Sequence, residues 1–227
     1  MRNILAVFVA VAALVAGPVM AADLPQYAPP PAPPVDNGLG GAFYLRASVG
    51  VNALWTQNHV FGGGAGSDSA TAAGYGYSYG VGVGYEVGNG LRADVTLDEI
   101  SNDGLTDGID TLHLSSTLAL ANAYYDFPLS GFGASGFGAY VGAGLGGAYY
   151  QVSTTGSTPQ ADGSGWTAAG AAMAGVTYDM GNAVADLGYR LVYLPQLSNN
   201  QTFPGTSYYL NQNFINEVRA SIRYRFN

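Results

Sequence analysis

Glu217-Val218-Arg219-Ala220-Ser221-Ile222-Arg223-Tyr224-Arg225-Phe226, the run before the terminal Asn227, decides the fold. Read in steps of two, Val218, Ala220, Ile222, Tyr224 and Phe226 form one apolar row. Glu217, Arg219, Ser221, Arg223 and Arg225 form the other. Successive side chains of a β-strand point to opposite faces, so this period is that of a two-faced strand.

The same beat runs backwards through the chain. Ala183, Ala185, Leu187, Tyr189, Leu191 and Tyr193 oppose Asp186, Gly188, Arg190 and Val192. Leu91, Ala93, Val95 and Leu97 oppose Arg92, Asp94, Thr96 and Asp98. From Tyr75 to Val87, tyrosines and valines alternate with glycine, Ser78 and Glu86. From Phe43 to Asn52, an apolar row opposes Tyr44, Arg46, Ser48, Gly50 and Asn52. Ala139, Val141, Ala143 and Leu145 oppose Tyr140 and three glycines. Two segments are less regular. Trp166 to Tyr178 is rich in Ala and Gly and its phase stays open. Between Leu112 and Phe127, Leu112, Leu114, Leu118 and Leu120 share one face while Tyr125 and Phe127 lie on the other. A β-bulge inside the strand is the expected reconciliation. Eight strands result, joined alternately by short turns such as Gly88-Asn89-Gly90 and by longer polar stretches. Those stretches are expected to be loops over Ala53–Gly74, Glu99–Thr111, Gln151–Gly165 and Pro195–Gln212. Pro128, Pro159, Pro195 and Pro204 are expected in turns or loops, where a missing N–H costs no ladder bond.

The arginines say which face is inside. Arg46, Arg92, Arg190, Arg219, Arg223 and Arg225 all oppose the apolar row, as do Asp94, Asp98, Asp186 and Glu217. A solvent coat would be an odd place for so few charges among so many glycines. In a narrow lumen glycine makes room, and mixed signs avoid unpaired buried charge. The outer face then carries Val, Leu, Ala, Ile, Tyr and Phe, as lipid requires. Closing the sheet removes every edge, which hydrocarbon demands. The expected fold is therefore all-β: an eight-stranded antiparallel up-and-down transmembrane barrel over 42–227. The ten charged residues above are its expected lumen ion-pair network.

Composition agrees. Only 10% of the 227 residues are charged, against about 25% in ordinary soluble domains, and Gly, at 34, is about twice as common as usual. All seven basic residues are Arg, and the net charge of −8 leaves no basic footprint for nucleic acid. Without cysteine there are no disulfides, thiolate sites or Cys nucleophiles. The N-terminus reads as an address. Arg2, the apolar run Ile4–Ala16, Pro18 and Val19-Met20-Ala21 make a secretory signal over 1–21, cut after Ala21. Residues 22–41 are a Pro/Gly-rich periplasmic leader, extended and unable to join a ladder.

Several motifs together resemble the opacity-type outer-membrane barrels of Gram-negative bacteria, relatives of OmpA and OmpX. They are Ala22-Asp23-Leu24-Pro25, Asn122-Ala123-Tyr124-Tyr125-Asp126-Phe127, Tyr140-Val141-Gly142-Ala143-Gly144, Asp186-Leu187-Gly188-Tyr189-Arg190 and Arg223-Tyr224-Arg225-Phe226. The resemblance spans essentially the whole chain after the signal. It implies the outer membrane, periplasmic termini and short turns, extracellular long loops, and contact with membrane lipid and lipopolysaccharide. It also implies that Tyr224 and Phe226 carry the signal read by the barrel-insertion machinery. Here the final aromatic is penultimate rather than last.

Chemistry is sparse. His113 and Ser115 share a face in a His-x-Ser pair of the kind that some lipid-A-deacylating barrels use. A triad needs an orienting carboxylate, and the strand phases offer none on that face. Asp103, Asp107 and Asp110 suit Ca²⁺ by type but not by spacing. Divalent ions bridging such acids to lipopolysaccharide phosphates need no fixed site. Haem binding, proposed for members of the resembling family, would have only His59, Tyr208 and Tyr209 as ligands. No cofactor, no metal and no enzyme activity are expected. The expected function is a structural envelope barrel with a plugged lumen presenting four loops. The alternatives are a narrow porin for small solutes and a surface receptor or adhesin.

Overall fold

In the computed structural model the chain forms a closed antiparallel barrel with strand order β1 to β8, each strand paired with its sequence neighbours and β1 with β8. The structure describes residues 41–60, 73–106, 110–129, 136–156, 162–198 and 209–226. Residues 1–40, read above as signal and leader, Asp107, Tyr208, Pro159 and Pro204 lie outside these, as do the side chains of His59, Asp110 and Tyr209.

The strands are β1 (Ala42–Val60), β2 (Gly74–Gly88), β3 (Leu91–Thr106), β4 (Asp110–Pro128), β5 (Phe137–Gly156), β6 (Gly163–Asp179), β7 (Ala183–Ser198) and β8 (Tyr209–Phe226). β5, with 20 residues, extends about 66 Å at roughly 3.3 Å per residue. A barrel strand needs only about 9–11 residues to cross a bilayer. The strands therefore continue well past the lipid zone. They occupy much of what composition marked as loop: β1 runs to Val60, β3 to Thr106, β5 to Gly156 and β7 to Ser198, while β6 starts at Gly163 and β8 at Tyr209. His59 is likewise in a strand, paired with Leu210.

The reason is a swap of polarity along each strand, most visible in β3 and β4. Toward the turn end, Leu91, Val95 and Leu97 face outward, and Arg92, Asp94 and Asp98 face inward. Toward the loop end, Glu99, Ser101 and Asp103 take the outward positions and Ile100 and Leu105 are buried. In β4, Leu112, Leu114, Leu118 and Leu120 are buried in the interior, while Tyr125 and Phe127 face outward. No bulge separates them, because the ladder to β5 runs unbroken from Asp110–Gly156 to Pro128–Gly138. The leucines change environment, not phase. A bulge does occur in β3, between Asp103 and Leu105, where Gly104 has φ +95°.

The loop-end interior is thus an apolar core. It gathers Leu54 from β1, Ile100 from β3, Leu118 from β4, Val152 from β5, Leu194 from β7 and Ile215 from β8, among others. Among the described residues the wall around it is not paired along its full height. The β6–β7 ladder ends at Gly170–Tyr193 and the β1–β2 ladder at Leu54–Gly74. Beyond these rungs, β7–β8–β1 and β3–β4–β5–β6 face each other as two sheets over a common core. Tyr150 spans the β6–β7 gap: its hydroxyl donates to the Ser198 carbonyl at 3.2 Å and accepts the Ser198 N–H at 3.1 Å. Pro195 lies inside β7, not in a loop. It sits where β7 has no β6 partner and where the β8 ladder skips from Leu194–Asn213 to Gln196–Asn211, so no bond is lost.

Candidate functional site

At the turn end the interior holds charge. The inward glycines of β2 open the space. A Cβ at Gly80 would collide with Asp98 Oδ1, so only glycine lets that carboxylate reach across the lumen. Arg190 from β7 is fully buried between Asp98 (Nη1 to Oδ2, 2.7 Å) and Glu217 (Nε to Oε2, 2.5 Å). Arg219 donates to Asp98 Oδ1 at 2.9 Å and to the Ser48 hydroxyl. Ser78 donates to Glu217. These residues come from β1, β2, β3, β7 and β8, so one cluster ties more than half of the barrel's circumference together.

One layer nearer the turns, Arg46 donates to the Tyr124 hydroxyl at 2.8 Å and meets Asp94 at 3.4 Å. Tyr44 and Asn122 both donate to Asp94, at 2.9 and 2.8 Å. The Arg92 guanidinium lies 3.7 Å from the centroid of the Tyr124 ring, within cation–π range. At the mouth, Arg92 pairs with Asp126 at 2.7 Å, and Arg223 bridges Asp186 (3.1 Å) and Glu86 (2.7 Å). Arg225 bridges Glu86 and Asp179, both at 2.7 Å. The ten residues singled out in the sequence all lie in this interior or at its turn-end mouth. Glu86, Asp126 and Asp179 join them, and sequence reading left these three out. Glu86 does share the inward row of β2, and that parity was the available signal. Asp126 opposes Tyr125 and Phe127 in β4, so parity was available for it too, while Asp179 ends β6, whose phase the sequence left open.

The outer wall carries an apolar band between two aromatic belts. The turn-end belt contains the ring pairs Phe43–Tyr85, Phe137–Tyr178 and Tyr224–Phe226. The loop-end belt contains Trp55–Phe214, Tyr193–Phe214 and Tyr149–Trp166. Such paired belts sit at the two membrane–water boundaries of a transmembrane barrel.

Above the loop-end belt the outer wall of β3 to β6 is polar. His113 stands opposite Asp103, and its Nδ1 lies 2.7 Å from the carboxylate. Its Nε2 lies 3.1 Å from the Thr155 hydroxyl. Ser115 and Thr117 both donate to Glu99, at 3.0 and 2.8 Å. The expectation that no carboxylate shares this face is therefore wrong. β3 continues as a strand past Glu99 and brings two carboxylates outward. Ser115 thus binds Glu99, while His113 sits between Asp103 and the Thr155 hydroxyl. Among the described residues no cluster of three or more His, Cys, Asp or Glu is arranged to hold a metal ion.

Charge inside, an apolar band outside and no free edge within that band define a membrane-spanning β-barrel. No protein-family model and no curated protein matches the chain. Among solved structures, Neisserial surface protein A is 21% identical, over 82% of this chain and 99% of its own, with a TM-score of 0.56. A major outer membrane protein from Thermus thermophilus is 15% identical over 79% of this chain and 99% of its own, with a TM-score of 0.47. OprG from Pseudomonas aeruginosa is 14% identical over 82% and 97%, with a TM-score of 0.46. The chain has the fold of the eight-stranded outer-membrane β-barrels.

Proposed function

We propose that this protein is a structural barrel of the outer membrane whose lumen is sealed and whose outward business is done by its loop end. The observation that carries the reading is Arg190, fully buried and held by two carboxylates on different strands. An eight-stranded barrel is just wide enough for side chains to fill it. Here two different fillings lie in series, ion pairs toward the turns and an apolar core toward the loops. An ion would have to break the first and dehydrate in the second. In this reading the N-terminal address delivers the chain to the periplasm and Tyr224 and Phe226 present it to the insertion machinery. Lipid and lipopolysaccharide surround the band.

The test is single-channel recording from the folded full-length protein in a planar bilayer, with folding checked by heat-dependent gel mobility. Silence is expected. Steady unitary steps from the folded protein would replace the plug with a narrow porin.

A further inference from the structure

The polar wall above the loop-end belt is more than a neutral rim. The ladders fix its rungs: Glu99, Thr117, Tyr149 and Trp166 in one row, then Ser101, Ser115, Gln151 and Ser164 directly above. A groove of about 500 Å³ runs along this wall, lined by Asp103, His113, Gln151, Ser153, Asp162 and Ser164 among others. Below it the outward row turns to Leu97, Ala119, Gly147 and Ala168, which belong to the lipid zone. The groove therefore begins two outward rows above hydrocarbon, with the row of Tyr149 and Trp166 between.

Its chemistry is specific. Hydroxyl, amide, imidazole and carboxylate groups offer donors and acceptors side by side, spaced by the strand repeat. The Trp166 ring, 77% exposed, stands at its foot against Tyr149, with ring centroids 5.3 Å apart. Among the described residues no Arg or Lys lies on this wall, and Glu99, Asp103 and Asp162 do, so a phosphate would meet repulsion. A neutral polyol would not: its hydroxyls can both donate to carboxylates and accept from amide and hydroxyl groups, and its C–H face can rest on the indole. From these observations we infer that this groove binds the uncharged sugar of a glycolipid standing in the same leaflet as the barrel. The apolar band beneath is what makes the occupant a glycolipid rather than a free saccharide, because the acyl chains and the sugar are held at once. Each contact then acts at the raised effective concentration of a tethered ligand.

The inference rests on the proposed placement in the membrane, and the test separates the two. The full-length protein is reconstituted into phosphatidylcholine vesicles containing equal minor shares of monogalactosyl diacylglycerol and phosphatidylglycerol. Insertion is confirmed by heat-dependent mobility, and the lipids that co-purify after gentle extraction are counted by mass spectrometry. Methyl galactoside is titrated in a separate arm against Trp166 fluorescence, with Trp55→Phe as background. The galactolipid is expected to be retained about tenfold over phosphatidylglycerol, and Gln151→Ala with Ser153→Ala to bring the ratio close to one without affecting insertion. Insertion without a preference, or a preference that survives the double substitution, overturns the inference and leaves the membrane placement standing. Methyl galactoside binding as tightly as the glycolipid also overturns it, since the occupant would then be a free sugar. Failure to insert overturns the placement itself, and the inference with it.

Discussion

Replacing Arg190 with Met should be the costliest single change in the barrel, and restoring charge balance should undo most of it. Arg190 meets Glu217 at 2.5 Å and Asp98 at 2.7 Å with no solvent access. At an effective dielectric of about 20, unit charges 3 Å apart attract by about 5–6 kcal/mol. Two such attractions disappear with Arg190, but Asp98 keeps Arg219 at 2.9 Å. Glu217 is worse placed, since its remaining cation, Arg219, is 3.9 Å away and its other partner is the Ser78 hydroxyl. The principal loss is therefore the stranding of Glu217. Removing one member of a buried pair costs about 3–5 kcal/mol. Adding Glu217→Gln removes the stranded charge and leaves Arg219 with Asp98 as a balanced pair. The double variant should then lose no more than about 2 kcal/mol, about 1–3 kcal/mol less than Arg190→Met alone and less than the sum of the two singles. The assay is reversible urea unfolding of the refolded barrel in phosphatidylcholine vesicles, followed by tryptophan fluorescence, with bilayer conductance recorded in parallel. If Arg190→Met costs less than about 1 kcal/mol, or the double variant costs the sum of the singles, the interior is wet. The charges would then not be coupled, and the plug argument fails.

Three further outcomes follow from the geometry. An arginine scan along the outward row of β3 should locate the membrane boundary. Val95→Arg should cost about 2–4 kcal/mol, and Ser101→Arg about 0–1 kcal/mol, in vesicle unfolding; equal costs would refute the change of environment between them. Leu118→Ala, at a buried site, should cost about 2–5 kcal/mol, as in the core of a soluble protein. A cost near zero would mean that the loop-end interior is hydrated. Tyr150→Phe removes both bonds to Ser198. It should cost about 1 kcal/mol and speed amide exchange at Leu197 and Ser198, leaving Arg190 unaffected. Uniform exchange rates in wild type and variant would show that Tyr150 does not hold the two sheets together.

The alternation in β8 and β3 placed arginines and acids on one face before any contact was known, because side-chain direction in a strand is set by the local backbone alone. The barrel followed because charge on one face and lipid-compatible residues on the other admit only a closed sheet in a membrane. Local pattern could not say which acid meets which arginine. Asp98 and Arg190 are 92 positions apart, and only ring closure and register bring them to 2.7 Å. Closure also recruits Asp179, which ends a strand whose phase the sequence left open. The leucines of β4 were visible but misread. Their phase disagrees with Tyr125 and Phe127 under the assumption that apolar always means outward, and a bulge was the local remedy. The tertiary structure resolves this differently, because the strands outrun the bilayer. Within lipid the solvent outside is hydrocarbon and the interior is polar; above it the solvent is water and the interior is apolar. Sequence alone determined that two faces exist. Only the folded barrel, by placing the aromatic belts at two heights, decided which medium each stretch faces.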